Sequence, residues 1–265
     1  MFRKILIANR GEIAVRIIRA ARELGIETVA VYSTADKEAL HTLLADEAVC
    51  IGPAKSTDSY LNMNAVLSAA VLTGSEAIHP GFGFLSENSK FATMCEEVGI
   101  KFIGPSGSVM DMMGDKINAR AQMIKAGVPV IPGSDGEVHT AEEALEVADR
   151  IGYPVMLKAS AGGGGKGIRK VERAEDLVPA FESASTEAKA AFGNGAMYIE
   201  RVIYPARHIE VQILADQFGH VVHLGERDCS LQRNNQKVLE ESPSVAIGKT
   251  IRDQIGSAAV RAAES

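Results

Sequence analysis

The chain has 265 residues, of which 46% are hydrophobic and 23% charged, a composition typical of a folded globular protein of one to three domains. Its 28 basic and 34 acidic side chains give a net charge of −6, which argues against binding of nucleic acid through bulk positive charge. No apolar run approaches the roughly 20 residues of a membrane span, and Cys50, Cys95 and Cys229 form neither a disulfide framework nor a zinc pair, so we expect a protein of the reducing cytoplasm.

The first hundred residues alternate between short apolar runs and amphipathic segments. The apolar runs predict strands at 4–8, 28–32, 48–51, 76–78 and 101–103. Between the first two strands, an apolar stripe that includes Ile13 and Ile17 predicts a helix that ends at Gly25. This alternation favours an α/β fold with an open, doubly wound parallel sheet. Ligands bind beyond the carboxyl ends of the strands in such sheets, which here are the loops at 9–12, 33–36 and 79–83.

Beyond residue 104 the pattern changes. Apolar periodicity predicts helices at 115–126 and 141–151, with the turn-rich stretch 128–133 between them, and this segment is interpreted as a linker into a second domain. Strands are predicted at 154–158, 168–171 and 197–201, with a long helix within 174–192. Alternation at 208–213 and a return strand at 221–224 predict a hairpin that ends in the charged run 226–228. The helix predicted at 249–265 has an apolar stripe and no later segment to pack against, so we expect a truncated chain.

The most informative stretch is rich in glycine. Five of the six residues from Gly162 to Gly167 are glycine, with Lys158 before them and Lys166 among them, which lets backbone amides and positive charge approach a pyrophosphate. A dinucleotide fingerprint would open a helix, whereas 168–171 is predicted as a strand, and a P-loop would have Ser or Thr at the position of Gly167. A flap between antiparallel strands that closes over phosphates is the remaining interpretation, with a flexible surface hairpin as its alternative.

Five motifs in order along the chain resemble those of biotin carboxylases, which are ATP-grasp ligases. They are IANRGEI at 7–13, IHPGFGFLSEN at 78–88, MGDK at 113–116, YPVMLKASAGGGGKG at 153–167, and ERDCSLQ at 226–232 with QK at 236–237. The resemblance covers the whole chain. It is closest to the biotin carboxylase subunits of bacterial acetyl-CoA carboxylases, although pyruvate and propionyl-CoA carboxylases contain the same module.

The resemblance implies an architecture and an activity. It implies a Rossmann-like doubly wound N-terminal (pre-ATP-grasp) domain at 1–113, an ATP-grasp lid with the glycine-rich loop at 114–203, and the beginning of the ATP-grasp catalytic domain at 204–265. The implied ligase uses MgATP to activate bicarbonate as carboxyphosphate and carboxylates the biotin of biotin carboxyl carrier protein. This reaction is the first step of acetyl-CoA carboxylase, and so of malonyl-CoA and fatty acid synthesis.

The resemblance also implies partners and a set of nucleotide contacts. The partners are the carrier protein, a carboxyltransferase and a second copy of the chain, which would dimerise through the helix with Arg16, Arg19 and Glu23; neither nucleic acid nor a membrane is among them. The cofactor-binding residues contact the phosphates, the adenine or the ribose of ATP. In chain order they are Lys116, Lys158, Gly164, Gly165, Glu200, Arg201, Val202, Ile203, His208, Gln232 and Asn235. We expect Lys116, Lys158, Lys166 and Lys237 to converge, so that an acidic chain can hold an anion.

Gln232 and Lys237 are expected in the loop after the hairpin. The catalytic residue that the resemblance implies is Lys237, which would face bicarbonate as a compact point charge. Asn235 stands where many family members have histidine, and Phe82 stands where many have tyrosine near the biotin pocket. The ligands of Mg²⁺ and the catalytic base are expected beyond residue 265, so no metal ligand is assigned and the fragment is expected not to turn over alone. Two alternatives stay open: a non-catalytic fragment that binds nucleotide or dimerises, and another bicarbonate-activating ATP-grasp ligase such as carbamoyl phosphate synthetase.

Overall fold

The chain forms two compact units in a computed structural model, Met1–Gly114 and Asp115–Ser265. The structure describes residues 1–114, 118–160, 167–233 and 236–265, together with the backbone of 116–117. In those ranges, no helix is both long enough and apolar enough to cross a lipid bilayer. The predicted division of the chain at residues 113 and 203 into three domains stays a prediction.

The first unit is a five-stranded parallel sheet with helices on both faces. Its strands are β1 (Lys4–Ile7), β2 (Glu27–Ser33), β3 (Glu47–Gly52), β4 (Ala77–His79) and β5 (Lys101–Phe102), in the order β3-β2-β1-β4-β5. Its helices are α1 (Gly11–Glu23), α2 (Leu40–Leu44), α3 (Met63–Leu72), α4 (Ser89–Glu97) and α5 (Gly107–Gly114). Ile5 and Ile7 belong to the core under α1, whereas Leu6 belongs to the core under α3 and α4, because successive side chains of a strand face opposite ways. The predicted doubly wound α/β fold is confirmed.

Two helices of the first unit begin at asparagine caps. The Asn62 side chain accepts a hydrogen bond from the Ala65 amide at 3.1 Å, and the Asn88 side chain accepts one from the Phe91 amide at 2.8 Å. Each cap satisfies an amide that the first turn of a helix leaves unpaired. These caps are the local signals for α3 and α4, two helices whose bounds are not among the predictions above.

The second unit begins with helices packed on an antiparallel sheet. Its first elements are α6 (Lys116–Lys125), α7 (Ala141–Ile151), β6 (Val155–Ala159), β7 (Arg169–Val171), α8 (Leu177–Phe192) and β8 (Met197–Arg201), with the strands in the order β7-β6-β8. Val155, Leu157 and Ala159 are buried in the core with α7 and α8. Met156 and Lys158 therefore occupy the opposite face of β6. The predicted helices and strands of this segment are observed.

A second antiparallel sheet follows, and it corrects one prediction. It contains β9 (Ile209–Ala215), β10 (Val221–Arg233) and β11 (Gln236–Glu241), in the order β11-β10-β9. The hairpin was predicted to end at the charged run 226–228, with Gln232 and Lys237 in a loop after it. Instead β10 runs on to Arg233, so Gln232 lies on β10 and pairs in register with Lys237 on β11.

The charged run stays within the strand because each of its side chains has a partner. Glu226, only 2% exposed, accepts a hydrogen bond from Arg252 at 2.6 Å. Arg227 donates to Glu210 at 2.7 Å, and Asp228 accepts from the Ser244 hydroxyl at 3.1 Å. Paired charges can be kept in a strand at little cost, whereas unpaired ones cannot.

The last helix, α9 (Lys249–Glu264), packs on strands that precede it in the sequence. It lies against β9 and β10. A side-chain carbon at Gly256 would come within 2.7 Å of the His223 imidazole, so glycine allows the helix to approach β10 closely. The sheet that precedes α9 in the sequence therefore covers this face of the helix.

Candidate functional site

In the first unit, the strand order reverses between β1 and β4, and a ligand crevice is expected beyond the ends of these two strands. Asn9 follows β1 and is buried, and its Nδ2 donates to the carbonyls of Pro80 at 2.8 Å and Phe82 at 2.7 Å. Burial lowers the pKa of His79, so its Nδ1 can accept the Gly81 amide at 3.1 Å. These bonds fix the loop after β4, while the ring of Phe82 is 61% exposed.

Arg10 joins the same loop to the one after β2. Its guanidinium lies 5.3 Å from the ring centroid of Tyr60 and 5.7 Å from that of Phe84, two rings that stack at 5.0 Å. Its Nη1 also lies 3.3 Å from Asp36. Phe84 adopts a φ of 43°, a left-handed conformation that a large residue adopts only when its surroundings impose it. The three predicted loops, 9–12, 33–36 and 79–83, therefore meet at one edge of the sheet.

Replacing Gly81 by alanine is expected to destabilise the first unit by about 2 to 4 kcal/mol, because left-handed strain adds to the loss of the Asn9 hydrogen bonds. Gly81 has a φ of +64°, and a Cβ there would lie 2.8 Å from Asn9 Nδ2. Gly83→Ala is the matched control, since Gly83 has a φ of +69° and a Cβ there would have no atom within 4 Å. We expect this control to cost only about 1 to 2 kcal/mol. Urea unfolding measures both, and equal losses would contradict the Asn9 contact.

In the second unit, Lys158 is the first predicted phosphate contact that the structure describes. Its ammonium donates to the carboxylate of Glu200 on β8, and the two side chains are 34% and 24% exposed. Glu200 pairs in register with Met156, so it shares the face of the sheet with Lys158, opposite to the Leu157 core. Glu200 on the neighbouring strand therefore balances the charge of Lys158, and the Lys158 side chain is still accessible to solvent.

The backbone after Glu200 leaves one carbonyl available. The amide of Arg201 donates to the carbonyl of Pro132 at 2.8 Å, and the amide of Val202 donates to that of Pro154 at 2.8 Å. A hydrogen-bonded antiparallel pair normally exchanges two bonds, but Pro132 has no N–H to return. The Arg201 carbonyl can therefore accept from an amine, and the apolar side chain of Ile203, which is 49% exposed, lies two residues further on.

A polar cluster occupies the second sheet. His208 Nδ1 lies 2.8 Å from Gln232 Nε2, and His208 Nε2 lies 3.8 Å from the carboxylate of Glu210. Glu210 also accepts hydrogen bonds from Lys237 and from Arg227. Lys237 and then Arg227 hold the pKa of Glu210 below its usual range, against the opposing effect of burial. The same bond to Glu210 raises the pKa of Lys237, so Lys237 stays charged at neutral pH.

This cluster does not suit a metal ion. Donor atoms of Glu210, Cys229 and Glu240 lie within 4.8 Å of one another. However, Glu210 already accepts hydrogen bonds from Lys237 and Arg227. Glu240 Oε2 lies 3.5 Å from the guanidinium of Arg227. A divalent cation would be repelled by Lys237 and Arg227. Burial also raises the pKa of the Cys229 thiol, which disfavours the thiolate that a metal would need. We assign no metal ligand to these residues.

The predicted site residues fall into two groups in the described part of the second unit. Lys158 lies on β6 and residues 200–203 lie at the end of β8 and directly after it, whereas His208, Gln232 and Lys237 lie on or beside the sheet of β9, β10 and β11. Among the described residues, no hydrogen bond or ion pair joins the two groups. Gly164, Gly165, Asn235, Lys166 and the side chain of Lys116 lie outside the described residues. Glu210 and Arg227 were not predicted as site residues. Their signal is the alternation of polar residues on β9 and the cross-strand register that pairs them.

Comparisons with known proteins agree along the whole chain. Residues 1–110 match the family model "Biotin carboxylase, N-terminal domain", and residues 115–265 match "Carbamoyl-phosphate synthase L chain, ATP binding domain". The chain is 59% identical over 265 residues to biotin carboxylase 1 of Bacillus subtilis, and the match covers 100% of this chain and 59% of that protein. The chain therefore spans 59% of the length of this curated relative.

Two solved structures are similar in fold and sequence. A biotin carboxylase in complex with β,γ-ATP from Campylobacter jejuni has a TM-score of 0.87 at 52% identity, and the match covers 100% of this chain and 59% of that chain. The biotin carboxylase domain dimer of the 2-oxoglutarate carboxylase of Hydrogenobacter thermophilus, in complex with MgADP, ADP and bicarbonate, has a TM-score of 0.84 at 52% identity and covers 100% and 58%. The two family models, together with relatives that are 52% to 59% identical over the full chain, establish that the chain belongs to the biotin carboxylase family.

Proposed function

We propose that this chain binds MgATP and bicarbonate as the ATP-binding part of a biotin carboxylase. An oxygen of bicarbonate attacks the γ-phosphorus, the bond from that phosphorus to the β,γ-bridging oxygen breaks, and ADP leaves. Carboxyphosphate then gives its carboxyl group to a ureido nitrogen of carrier-bound biotin: the C–N bond forms, the bond from the carboxyl carbon to the phosphate oxygen breaks, and the released phosphate takes up the proton that the nitrogen loses. The observation that carries the proposal is a charged lysine on each sheet of the second unit, Lys158 and Lys237, in a chain 52% identical to a domain solved with ADP and bicarbonate.

Lys158 supports the phosphoryl-transfer step. Enzymes accelerate this step largely by positioning the reactants and neutralising charge. Lys158 stands directly before the glycine-rich stretch and is held by Glu200. A polyphosphate carries far more negative charge than one carboxylate, so it can draw the ammonium away from Glu200. The roles of Lys116, Gly164 and Gly165 at the phosphates belong to the same proposal.

The backbone at 200–203 and the pair of His208 and Gln232 support the nucleoside contacts. The Arg201 carbonyl can accept from the adenine amine, and Ile203 supplies an apolar surface for the ring. His208 and Gln232 are linked at 2.8 Å, and each keeps further hydrogen-bonding capacity for ribose hydroxyls. Asn235 can add a neutral hydrogen bond to the nucleotide.

Lys237 supports the bicarbonate contact. Its ammonium has three N–H bonds, of which one serves Glu210. The remaining donors suit a small planar anion. Glu200, Glu210 and Glu240 do not fit as ligands of Mg²⁺, because each already lies beside a cation. When bound, Mg²⁺ would neutralise part of the charge of the ATP phosphates.

The further partners are part of the proposal. The relatives include both a biotin carboxylase and a 2-oxoglutarate carboxylase domain, so this module alone leaves the final carboxyl acceptor open. The resemblance of its motifs to biotin carboxylase subunits favours acetyl-CoA carboxylase, and hence malonyl-CoA and fatty acid synthesis in the cytoplasm, with carrier protein and carboxyltransferase as partners. The exposed face of α1 with Arg16, Arg19 and Glu23 is the proposed homodimer surface, in line with the relative solved as a dimer.

Calorimetry on the folded chain tests the binding function. We expect saturable heat with MgATP and MgADP, because the site offers lysines to the phosphates and a backbone carbonyl to the adenine amine. We also expect the carbon resonance of ¹³C-bicarbonate to broaden on addition of the chain, and Lys237→Met to abolish the broadening. A folded chain that gives no heat with MgATP would refute the proposal and leave, of the non-catalytic alternative, only a fragment that dimerises; sedimentation that shows no dimer would remove that as well.

A further inference from the structure

Glu210 links the strands around Lys237. It lies on β9, it pairs in register with Arg227 on β10, and it accepts from Lys237 on β11. Its two oxygens are divided between the two cations: Oε1 accepts from Arg227 Nε at 2.7 Å, and Oε2 accepts from Lys237. The carboxylate side chain is 24% exposed, against 36% for Lys237. The more buried group therefore holds the more exposed one.

Arg227 is itself fixed on its far side. Both Nη1 and Nη2 donate to Gln212 Oε1, at 3.1 Å each. Gln212 stands two residues after Glu210 on β9 and so shares its face of the sheet. Gln212, Arg227, Glu210 and Lys237 form one continuous row of hydrogen-bonded side chains across three strands. An isolated lysine has a flexible stem of four carbons, and this row restricts it.

We propose that Glu210 is the positioning residue of Lys237 and that Arg227 keeps Glu210 in place, so that the ammonium stands fixed where a small anion binds. The identity of that anion as bicarbonate rests on the proposed function. No chemical step is assigned to Glu210 or to Arg227. Their role is to hold the charge that touches the anion.

The charge balance supports this assignment. One carboxylate shared between two cations leaves the three residues with a net positive charge, so Lys237 keeps an attraction for an anion. Glu240 offsets part of the charge of Arg227, and the buried Cys229 thiol is neutral because burial raises its pKa. His208 Nε2 lies 3.8 Å from Glu210 Oε2, the oxygen that accepts from Lys237. Without Arg227, the Glu210 carboxylate would neutralise Lys237 alone, and Lys237 would attract an anion less strongly.

Nitrogen relaxation of the lysine ammonium groups tests the positioning directly. We expect the Lys237 ammonium to be ordered in the native chain, and to become as mobile as a solvent-exposed lysine in Glu210→Gln. Arg227→Gln is the second variant, and it should loosen Lys237 to an intermediate degree. Lys249, which pairs with Asp253 at 2.6 Å on α9, is the internal control and should be unaffected. A Lys237 ammonium that stays ordered in both folded variants would overturn the proposal.

Bicarbonate binding gives the second readout. Glu210→Asp keeps the charge but is shorter by one carbon, so it cannot reach both cations. We expect about a tenfold weaker bicarbonate affinity in this variant, because displacement of a binding group by about 1 Å costs one to two orders of magnitude. An unchanged bicarbonate affinity would show that only the charge of Glu210 matters, and it would contradict the proposal that Glu210 positions Lys237. A native chain that binds no bicarbonate would refute the proposed function alone, since the ammonium relaxation would still decide the role of Glu210.

Discussion

Replacing Lys158 by methionine is expected to weaken MgATP binding about ten- to a hundredfold, since a hydrogen bond to a charged group contributes about 1.5 to 3 kcal/mol. Methionine keeps most of the length and apolar volume of the lysine stem, so the variant removes mainly the charge. Lys158 lies on the solvent face of β6 and is 34% exposed. The core face of that strand, with Leu157, is not touched by the change.

The competing partner of Lys158 sets the size of this effect. In the ligand-free chain, Glu200 already neutralises the ammonium, so binding of ATP exchanges one anionic partner for another. The free energy gained when Lys158 contacts a phosphate is therefore smaller than it would be for an unpaired lysine. We therefore expect the MgATP affinity to fall about ten- to a hundredfold, and we do not expect binding to be lost completely.

Lys189→Met is the matched control for this measurement. Lys189 lies in the last turn of α8, an exposed residue on the helix layer that covers the other face of the sheet. Calorimetry should give the same MgATP affinity for this variant and for the native chain. An equal loss in both variants would show that general positive charge, and no specific contact of Lys158, attracts the nucleotide.

Local patterns predicted most elements of the fold. The apolar stripe of α1 and the alternation of apolar and polar residues along β6 each indicate which face of the element is buried. Residues a few positions apart are therefore enough to predict these elements. α7 adds a capping box, in which Thr140 and Glu143 satisfy each other's backbone. Such signals depend on neighbours in the sequence, and a single sequence displays them.

The length of β10 could not be predicted in the same way. Whether Glu226 and Arg227 end a strand or continue it depends on Arg252 and Glu210, which lie 26 and 17 residues away. Composition favours a loop for a run of charges, and only the tertiary partners reverse that preference. The error in the bounds of β10 then displaced Gln232 and Lys237 from strands into a loop.

The residues of the candidate site also differ in whether the sequence alone could identify them. Lys158 could be named because a charged residue beside a glycine-rich stretch is visible in the sequence, and Lys237 could be named from the motif that resembles the family. Glu210 and Arg227 could not, because their role follows from the register that puts them opposite each other. The clamp of Asn9 on the loop after β4 spans more than 70 residues, and it likewise follows from the sheet order rather than from any local pattern.

Replacing Tyr60 by alanine is expected to destabilise the first unit by about 3 to 5 kcal/mol, the usual cost of removing a buried aromatic ring. Tyr60 is fully buried and stacks on Phe84 at 5.0 Å. Burial raises its pKa to about 12, so the phenol stays protonated and donates to Asp36 at 2.7 Å. The same hydroxyl accepts from the Ser33 amide at 3.0 Å.

Tyr60→Phe separates the hydroxyl from the ring, and its effect should depend on pH. Burial opposes the charge of Asp36, but hydrogen bonds from Tyr60, Ser33 and Arg10 hold its pKa below the usual value of 3.8. A carboxylate with a lowered folded-state pKa stabilises the fold above its unfolded pKa, and this contribution is lost as the pH falls through the folded one. We therefore expect Tyr60→Phe to cost about 1 to 3 kcal/mol at pH 7 and clearly less near pH 3. Urea unfolding at both values measures the difference, and a cost that does not change with pH would mean that the hydroxyl acts through Ser33 alone.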